Sequence, residues 1–343
     1  MNKKKTHPCI LGIESSCDET SAAVLSGFDV RSHIVYSQMI HKKYGGVVPE
    51  LASRAHEHAI SQVVESAFDQ CGCRPAEIDA VAVTCGPGLM GALLVGLNYA
   101  KGFALAQNIP LIAVNHIEAH LYAPMLEFPE LEPPFLCLLV SGGHTMLVDV
   151  RGLRDFEILG STRDDAAGES FDKTARLLKI GYPGGPVIDT LSDSGNRNAV
   201  RFPRSLLEAK SLDFSFSGMK TAVLHHVKQQ KHITDRDKAD IAASFQEAVV
   251  DVLDEKLCRA VKRSGHKKVV LAGGVAANRR LREVLGKTAE RKNLRLYYPP
   301  LEYCTDNAAM IAATGVMYYR KGMFSSMEVP AVPNLKLTSG SEG

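Results

Sequence analysis

His116 and His120 stand four residues apart in Asn115-His116-Ile117-Glu118-Ala119-His120. On a helix that spacing puts both imidazoles on one face, one turn apart, with only the small Ala119 between them. Two imidazoles so placed can share one divalent metal; the plainer alternative is two histidines of a core or surface face. The pair also invites a zinc-peptidase reading, in which a glutamate directly after the first histidine is the base. Here the glutamate is Glu118, one position later, about 200° around the helix from His116 and turned from the metal side. A third ligand must come from elsewhere, and Asp306 is the best placed. It follows Pro299 and Pro300, opens a last helix and lies in Cys304-Thr305-Asp306-Asn307. Its competing role is the N-cap of that helix. Two histidines and one carboxylate leave coordination positions open, which suits a catalytic or ligand-bridging zinc or iron(II).

Glycine turns supply a second chemistry. Ser141-Gly142-Gly143-His144-Thr145 lies between two apolar runs, where unpaired amides can ring a phosphate. Gly273-Gly274-Val275-Ala276-Ala277-Asn278 follows a strand and opens a helix, so its amides point beyond the sheet. Gly86-Pro87-Gly88 has the same strand context. One such turn is only a tight connection; together they suggest a nucleotide site. Carboxylates cluster at Glu14, Asp18 and Glu19, then at Asp164, Asp165, Glu169 and Asp172. Basic stretches are 259–263, Lys267-Lys268, Arg279-Arg280-Leu281-Arg282 and Arg291-Lys292. Their usual meaning is a solvated surface, and they also suit an RNA backbone.

The elements that must position these groups follow from periodicity and breakers. Residues 10–13 and 21–25 read as a hairpin around the polar turn 14–20. Pro49 precedes a helix over 50–70, and Leu89 to Gln107 is an apolar helix. Leu111 to Val114 is a strand, and Asn115 caps the helix carrying the two histidines. Pro124 to Pro134 is the best linker. After it a second hairpin (135–140, 145–150) repeats the first in plan. Helices are expected over 165–180 and through most of 190–265, then a strand at Lys268 to Ala272, another at Leu294 to Tyr298, and the helix opened by Asp306. Two halves of βββα type are the plan of the actin, sugar-kinase and Hsp70 ATPases. This makes an α/β fold of two lobes around a nucleotide cleft: residues 8–130, with the last helix (about 306–322) packing back on them, and residues 131–324. The tail over 325–343, rich in Ser, Pro and Gly, is expected to be loose.

Composition bounds the class. The chain has 343 residues, 45% apolar and 23% charged, with Lys+Arg 40 against Asp+Glu 38 and a net charge of +2. That is an ordinary soluble balance, and a local basic stripe would suffice for nucleic acid. The 8 cysteines are scattered and read as reduced thiols of a cytoplasmic protein. The longest apolar stretch, Ala92 to Val114, contains Asn98, Lys101, Gln107, Asn108 and Pro110 and reads as a buried helix and strand. The run from Cys9 to Ile13 is too short for a signal-peptide core.

The motifs, taken in order, resemble one family. Residues 10–20, Gly45-Gly46-Val47-Val48-Pro49-Glu50-Leu51-Ala52-Ser53-Arg54, 115–120, 140–145, Gly181-Tyr182-Pro183-Gly184-Gly185-Pro186, 214–220, 273–278 and Thr305-Asp306-Asn307 are similar to the universal tRNA threonylcarbamoyladenosine transferases in their bacterial form. This family was formerly labelled as glycoprotein endopeptidases. The resemblance runs from about residue 9 to 322 and implies the fold above. It also implies transfer of the threonylcarbamoyl group of threonylcarbamoyl-AMP to N6 of the adenosine 3′ of the anticodon (A37), in tRNAs reading codons that begin with A. It implies one divalent metal, Fe2+ or Zn2+, on His116, His120 and Asp306. Adenylate contacts carry over to Leu139, Val140, Ser141, Gly142, Gly143, Asp172, Gly185, Asp189 and Asn278. Archaeal and eukaryotic members place a metal-shell tyrosine where this chain has Leu139, so the metal's identity is less fixed here. An inactive paralogue of the same fold and a small P-loop ATPase are the implied partners, with 50–70 as the expected partner surface. Glu14 and Asp18 are the candidate general bases, and a zinc metallopeptidase is the alternative function.

Overall fold

The computed structural model describes residues 5–44, 46–206 and 210–338, so Gly45 of the motif above and the tail beyond 338 lie outside the described residues. In chain order the elements begin with β1 (Cys9–Glu14), β2 (Glu19–Ser26), β3 (Asp29–Ser37), α1 (Pro49–Cys71), β4 (Ala80–Gly86), α2 (Met90–Gln107), β5 (Leu111–Asn115) and α3 (His116–Tyr122). They continue with β6 (Phe135–Val140), β7 (Thr145–Gly152), β8 (Asp155–Ser161), α4 (Ala167–Leu178), α5 (Gly184–Leu191), α6 (Ser217–Gln229) and α7 (Asp235–Ser264). The last are β9 (Lys268–Ala272), α8 (Arg279–Lys292), β10 (Arg295–Tyr297) and α9 (Ala308–Lys321). The chain divides into two compact units, one of Met1–Leu131 with Thr305–Gly343 and one of Glu132–Cys304.

In the first unit the sheet order is β3-β2-β1-β4-β5. The hairpin strands β1–β2 and β2–β3 pair antiparallel, while β1–β4 and β4–β5 pair parallel. Strands covered on both faces read as unbroken apolar runs, as β1 and β4 do. Alternation along β1 sorts its side chains: Leu11 and Ile13 meet Ile60 and Val64 of α1 and Leu97 of α2. The opposite face takes α9, whose inner stripe is Ala308, Ala309, Ala312 and Ala313. Gly12 lets that helix come close, because a Cβ there would collide with the backbone oxygen of Ala308.

The second unit repeats the plan in the order β10-β9-β6-β7-β8. Its first three strands pair antiparallel, and β6–β9 and β9–β10 pair parallel. Leu136, Leu138 and Val140 of β6 pack with Phe171 of α4 and with Phe245, Val249 and Leu253 of α7. The Phe171 and Phe245 rings meet edge to face at 5.3 Å.

Two expectations are corrected. Cys71 and Cys73 are joined in a disulfide with Cα atoms 5.4 Å apart, rather than reduced. Gly72 caps α1 in the left-handed region (φ 64°) and folds the chain back so that the two sulfurs meet. The described part of the tail is not loose. Ser325 bridges to Leu111, Lys101 donates to the carbonyl of Val329 at 2.7 Å, and Val332 donates to that of Cys85 at 2.8 Å. Besides these bonds, Met327, Val329 and Ala331 pack against the core of the first unit, contacts that composition does not reveal. Among the described residues, no helix is long and apolar enough to cross a membrane.

Candidate metal centre and glycine turns

Asn115 ends β5 and accepts hydrogen bonds from the amides of Ile117 and Glu118, which starts α3 and turns both histidines to one side. The rings lie edge to face with centroids 4.8 Å apart. Asp306 comes from the residues just ahead of α9. It is not that helix's cap: Asn307 caps it, accepting from the amide of Met310 at 3.0 Å. Asp306 Oδ1 lies 3.1 Å from His120 Nε2 and 3.4 Å from His116 Nε2. One ligand atom from each of the three residues falls within 4.8 Å of the others. Ligands about 2.0–2.1 Å from a tetrahedral metal stand about 3.3 Å apart, so these two separations suit one small cation.

Behind His116 stands Glu14. It is fully buried, and its Oε2 lies 2.9 Å from His116 Nδ1 and accepts from the Thr84 hydroxyl at 2.7 Å. Its Oε1 accepts from the amide of Ser16 at 2.5 Å. Ser16 Oγ also lies 3.2 Å from His116 Nδ1. A carboxylate behind an imidazole fixes the tautomer that leaves Nε2 facing the metal position. Burial alone would pull the His116 pKa down, but Asp306 and Glu14 outweigh it and hold it well above the usual value. Burial likewise raises the pKa of Asp306, and His116 and His120 together drive it well below the ordinary carboxylate range. Glu14 is also lowered, because His116 and Thr84 overcome its burial.

The turn after β1 completes the acidic wall. His56 of α1 anchors it, with Nε2 3.0 Å from the carbonyl of Cys17 and Nδ1 2.7 Å from the Thr20 hydroxyl. Leu89, just ahead of α2, donates its amide to the carbonyl of Ser16 at 2.8 Å. Burial, then the neighbouring Asp306 and Asp18, push Glu19 up to about 9. Crowded carboxyls facing two imidazoles are what a bound cation would relieve. Glu118, by contrast, accepts from the Tyr318 hydroxyl of α9 at 2.7 Å. Glu19 stood in the acidic cluster of the sequence, whereas Ser16 and Thr84 were not singled out. Ser16 lay inside the quoted turn, but nothing local marks Thr84, whose partner is 70 residues away.

In the second unit, the Ser141–His144 turn closes on itself: the amide of Ser141 donates to the carbonyl of His144 at 2.7 Å, and the amide of His144 donates to Ser141 Oγ at 3.1 Å. The start of α4 supports it, with Gly168 donating to the carbonyl of Ser141 and Ala167 donating to Thr145 Oγ1. A Cβ on Gly142 or Gly143 would meet nothing within 4 Å, so these two positions are open. Leu139 and Val140 are buried in β6 and offer only backbone. Beside them Gly273 takes φ 87°, where a Cβ would lie 2.5 Å from the carbonyl oxygen of Val140. Asp172 accepts from the amide of Gly184 at 2.6 Å; burial raises its pKa despite that bond. Gly185, next in the chain, is open. Asp189 is ion-paired with Arg279 at 2.8 Å. Asn278 caps α8, accepting from Leu281, and donates to Gln246, so its side chain is engaged within the protein.

Two five-stranded sheets of one order give the chain the fold of the actin/sugar-kinase/Hsp70-like class. Solved structures agree on the fold. Full-length HypF in its phosphate- and nucleotide-bound form matches 94% of this chain and 48% of its own, at TM-score 0.61 and 15% identity. Component A of (R)-2-hydroxyglutaryl-CoA dehydratase from Acidaminococcus fermentans matches 92% of this chain and 98% of its own, at TM-score 0.55 and 18% identity. The sequence comparisons are narrower. The tRNA N6-adenosine threonylcarbamoyltransferase family model matches residues 29–313. Two proteins of that name are similar: that of Clostridium beijerinckii is 53% identical over 331 residues, covering 96% of this chain and 98% of its own. That of Thermosipho africanus is 52% identical over 332 residues, covering 96% and 99%. The chain belongs to the tRNA N6-adenosine threonylcarbamoyltransferase family.

Proposed function

We propose that this transferase moves the threonylcarbamoyl group of threonylcarbamoyl-AMP to N6 of A37 in tRNAs reading codons that begin with A, releasing AMP. Family membership carries the transfer to a tRNA adenosine. The geometry that best supports a metal-assisted reaction is the group of His116, His120 and Asp306 with Glu14 behind it. A bound Fe2+ or Zn2+ would act there as a Lewis acid on the donor. The mixed carbamic–phosphoric anhydride is already activated, so no covalent enzyme intermediate is required. N6 attacks the carbamoyl carbon, the bond from that carbon to the phosphate oxygen breaks, and N6 gives up a proton. We assign that proton to Asp18, because both oxygens of Glu14 are engaged with Ser16, Thr84 and His116. Glu14 is thereby read as the group that positions His116 rather than as the base.

The adenylate is assigned to the second unit. Backbone at Leu139 and Val140 leads to the turn of Ser141, Gly142 and Gly143, where the two glycines are open, and Gly185 is assigned to the same site; fixed amides at the glycines would stabilise charge as AMP leaves. Asp172, Asp189 and Asn278 are assigned to the same site, and the internal partners of the last two favour a supporting part. The inactive paralogue and the small P-loop ATPase are the proposed partners, and the cytoplasm the place of action. The peptidase reading finds no support: Glu118 is bonded to Tyr318.

The test is transfer of labelled threonine from preformed threonylcarbamoyl-AMP to unmodified tRNA with partner proteins present. Wild type should label tRNA, and His116→Ala should lose at least a hundredfold in rate, as expected when a Lewis acid is removed. An Asp18→Ala protein with full rate would remove Asp18 from the mechanism.

A further inference from the structure

The basic stretches of the sequence do not share one fate. Arg279 is paired with Asp189 and Asp193, and Arg280 with Glu247 and Glu283. Arg282 donates to the carbonyls of Ala276 and Pro299 and lies over the Tyr298 ring at 4.4 Å. Lys268 donates to the carbonyl of Glu132. These cations serve the fold of the second unit.

A different set gathers where α7 and α8 end. A groove of about 620 Å³ is lined by Arg259, Lys262, His266, Lys267 and Lys292, with Glu255 as its acid. Glu255 is taken by Arg259 at 2.8 Å, and His266 by Asp149 at 2.6 Å. Lys262, Lys267 and Lys292 are exposed, and among the described residues no carboxylate lies within ion-pair distance of any of them. Lysines near helix C-termini do complement the helix dipole, which accounts for Lys262 and Lys292 singly. It does not account for Lys267, which lies outside both helices and lines the same groove. The groove opens at the first residue of β9, whereas the Gly273 turn follows its last, about 17 Å away along the strand. It is therefore separate from the glycine turns assigned to the adenylate.

We propose that this groove holds the phosphate backbone of the tRNA substrate at a distance from the reacting adenosine. Flexible point charges on an open surface suit phosphates without reading sequence. The known substrate is a polyanion far longer than its reacting loop, so phosphates beyond that loop are available. An acidic protein surface would be the competing occupant.

The experiment is binding of unmodified tRNA to the full-length protein by fluorescence anisotropy between 50 and 200 mM salt (roughly the range over which phosphate contacts are read out). Wild type is compared with the K262E/K267E/K292E and K262R/K267R/K292R triple variants. The glutamate triple should bind roughly tenfold or more weakly, with a slope of log K against log salt shallower by about two to three. At saturating tRNA its kcat should match wild type while KM for tRNA rises, and the arginine triple should behave as wild type. A glutamate triple that melts at the wild-type temperature and binds tRNA with wild-type affinity and slope overturns the proposal. So does an equal loss in the arginine triple, which would show that shape rather than charge matters. Loss of binding to an acidic partner protein with tRNA binding intact would give the groove to that partner instead. Transfer activity of the wild type in the same preparation keeps the transferase reading separate from each of these outcomes.

Discussion

At the residue scale, Glu14 shows how a side chain acquires a role from its partners. Buried carboxylates are costly unless several donors satisfy them. Here the Ser16 amide, the Thr84 hydroxyl and His116 all do. Glu14→Gln keeps the volume but removes the negative charge behind His116. Metal affinity should fall about 10- to 100-fold, measured by competition with a chelator. Unchanged affinity would dissociate Glu14 from the metal group. Asp164 gives a pH prediction away from that centre. Burial opposes its charge, but the hydroxyls of Ser215 and Ser217 and the amides of Phe216 and Ser217 outweigh it, so its pKa lies below 3.8. A carboxylate lowered on folding contributes stability above its unfolded pKa, and that contribution disappears as pH falls through the folded value. Asp164→Ala should therefore cost about 1–2 kcal/mol at pH 7, given that the group is largely exposed. The gap between the two melting curves should close as pH drops below about 3.9. A gap that persists in acid would mean that the loss is packing rather than charge.

At the element scale, the tail is the part whose weight composition hid. Residues 332–336 lie along the end of β4 and the start of α3: Gly88 donates to the carbonyl of Pro333 at 3.0 Å, and Asn115 Nδ2 donates to that of Lys336 at 3.2 Å. Asn115 is the cap that starts the helix carrying His116 and His120. Ending the chain after Ala331 strips these bonds from two turns of the first unit. The shortened protein should melt several degrees lower, as expected for a loss of 1–2 kcal/mol. Asn115→Ala should cost about 0.5–2 kcal/mol through the lost cap. If the shortened chain melts with wild type, the tail is only laid against the unit and does not hold it.

At the scale of the whole molecule, the first unit is discontinuous and the second is not. Residues 1–131 lack α9, which covers one face of β1 and β4 and brings Asp306 with it. A fragment of residues 1–131 should expose that face and aggregate. A fragment of residues 132–304 holds its own sheet and core and should show a cooperative melt by circular dichroism. Failure of the second fragment to fold would mean that the two units depend on one another for stability.

Sequence alone determined much of this, for a local reason. Helix and strand periods, caps and glycine turns are read within a few residues, so α3 with its cap at Asn115, the hairpins and the glycine turns were legible. The His116–His120 pair was legible too, because a helix turn is a local distance. Angular spacing alone turned Glu118 from the metal side, where it is found bonded to Tyr318. What sequence could not weigh was choice among long-range partners. Asp306 could have capped a helix until Asn307 was seen to do so, and nothing local marked Thr84, Ser16 and His116 as the partners of Glu14. Arg279, Arg280 and Arg282 looked as available as Lys262, Lys267 and Lys292 until their partners were in place. A side chain's type sets which bonds it can make; only the tertiary structure decides which are already made.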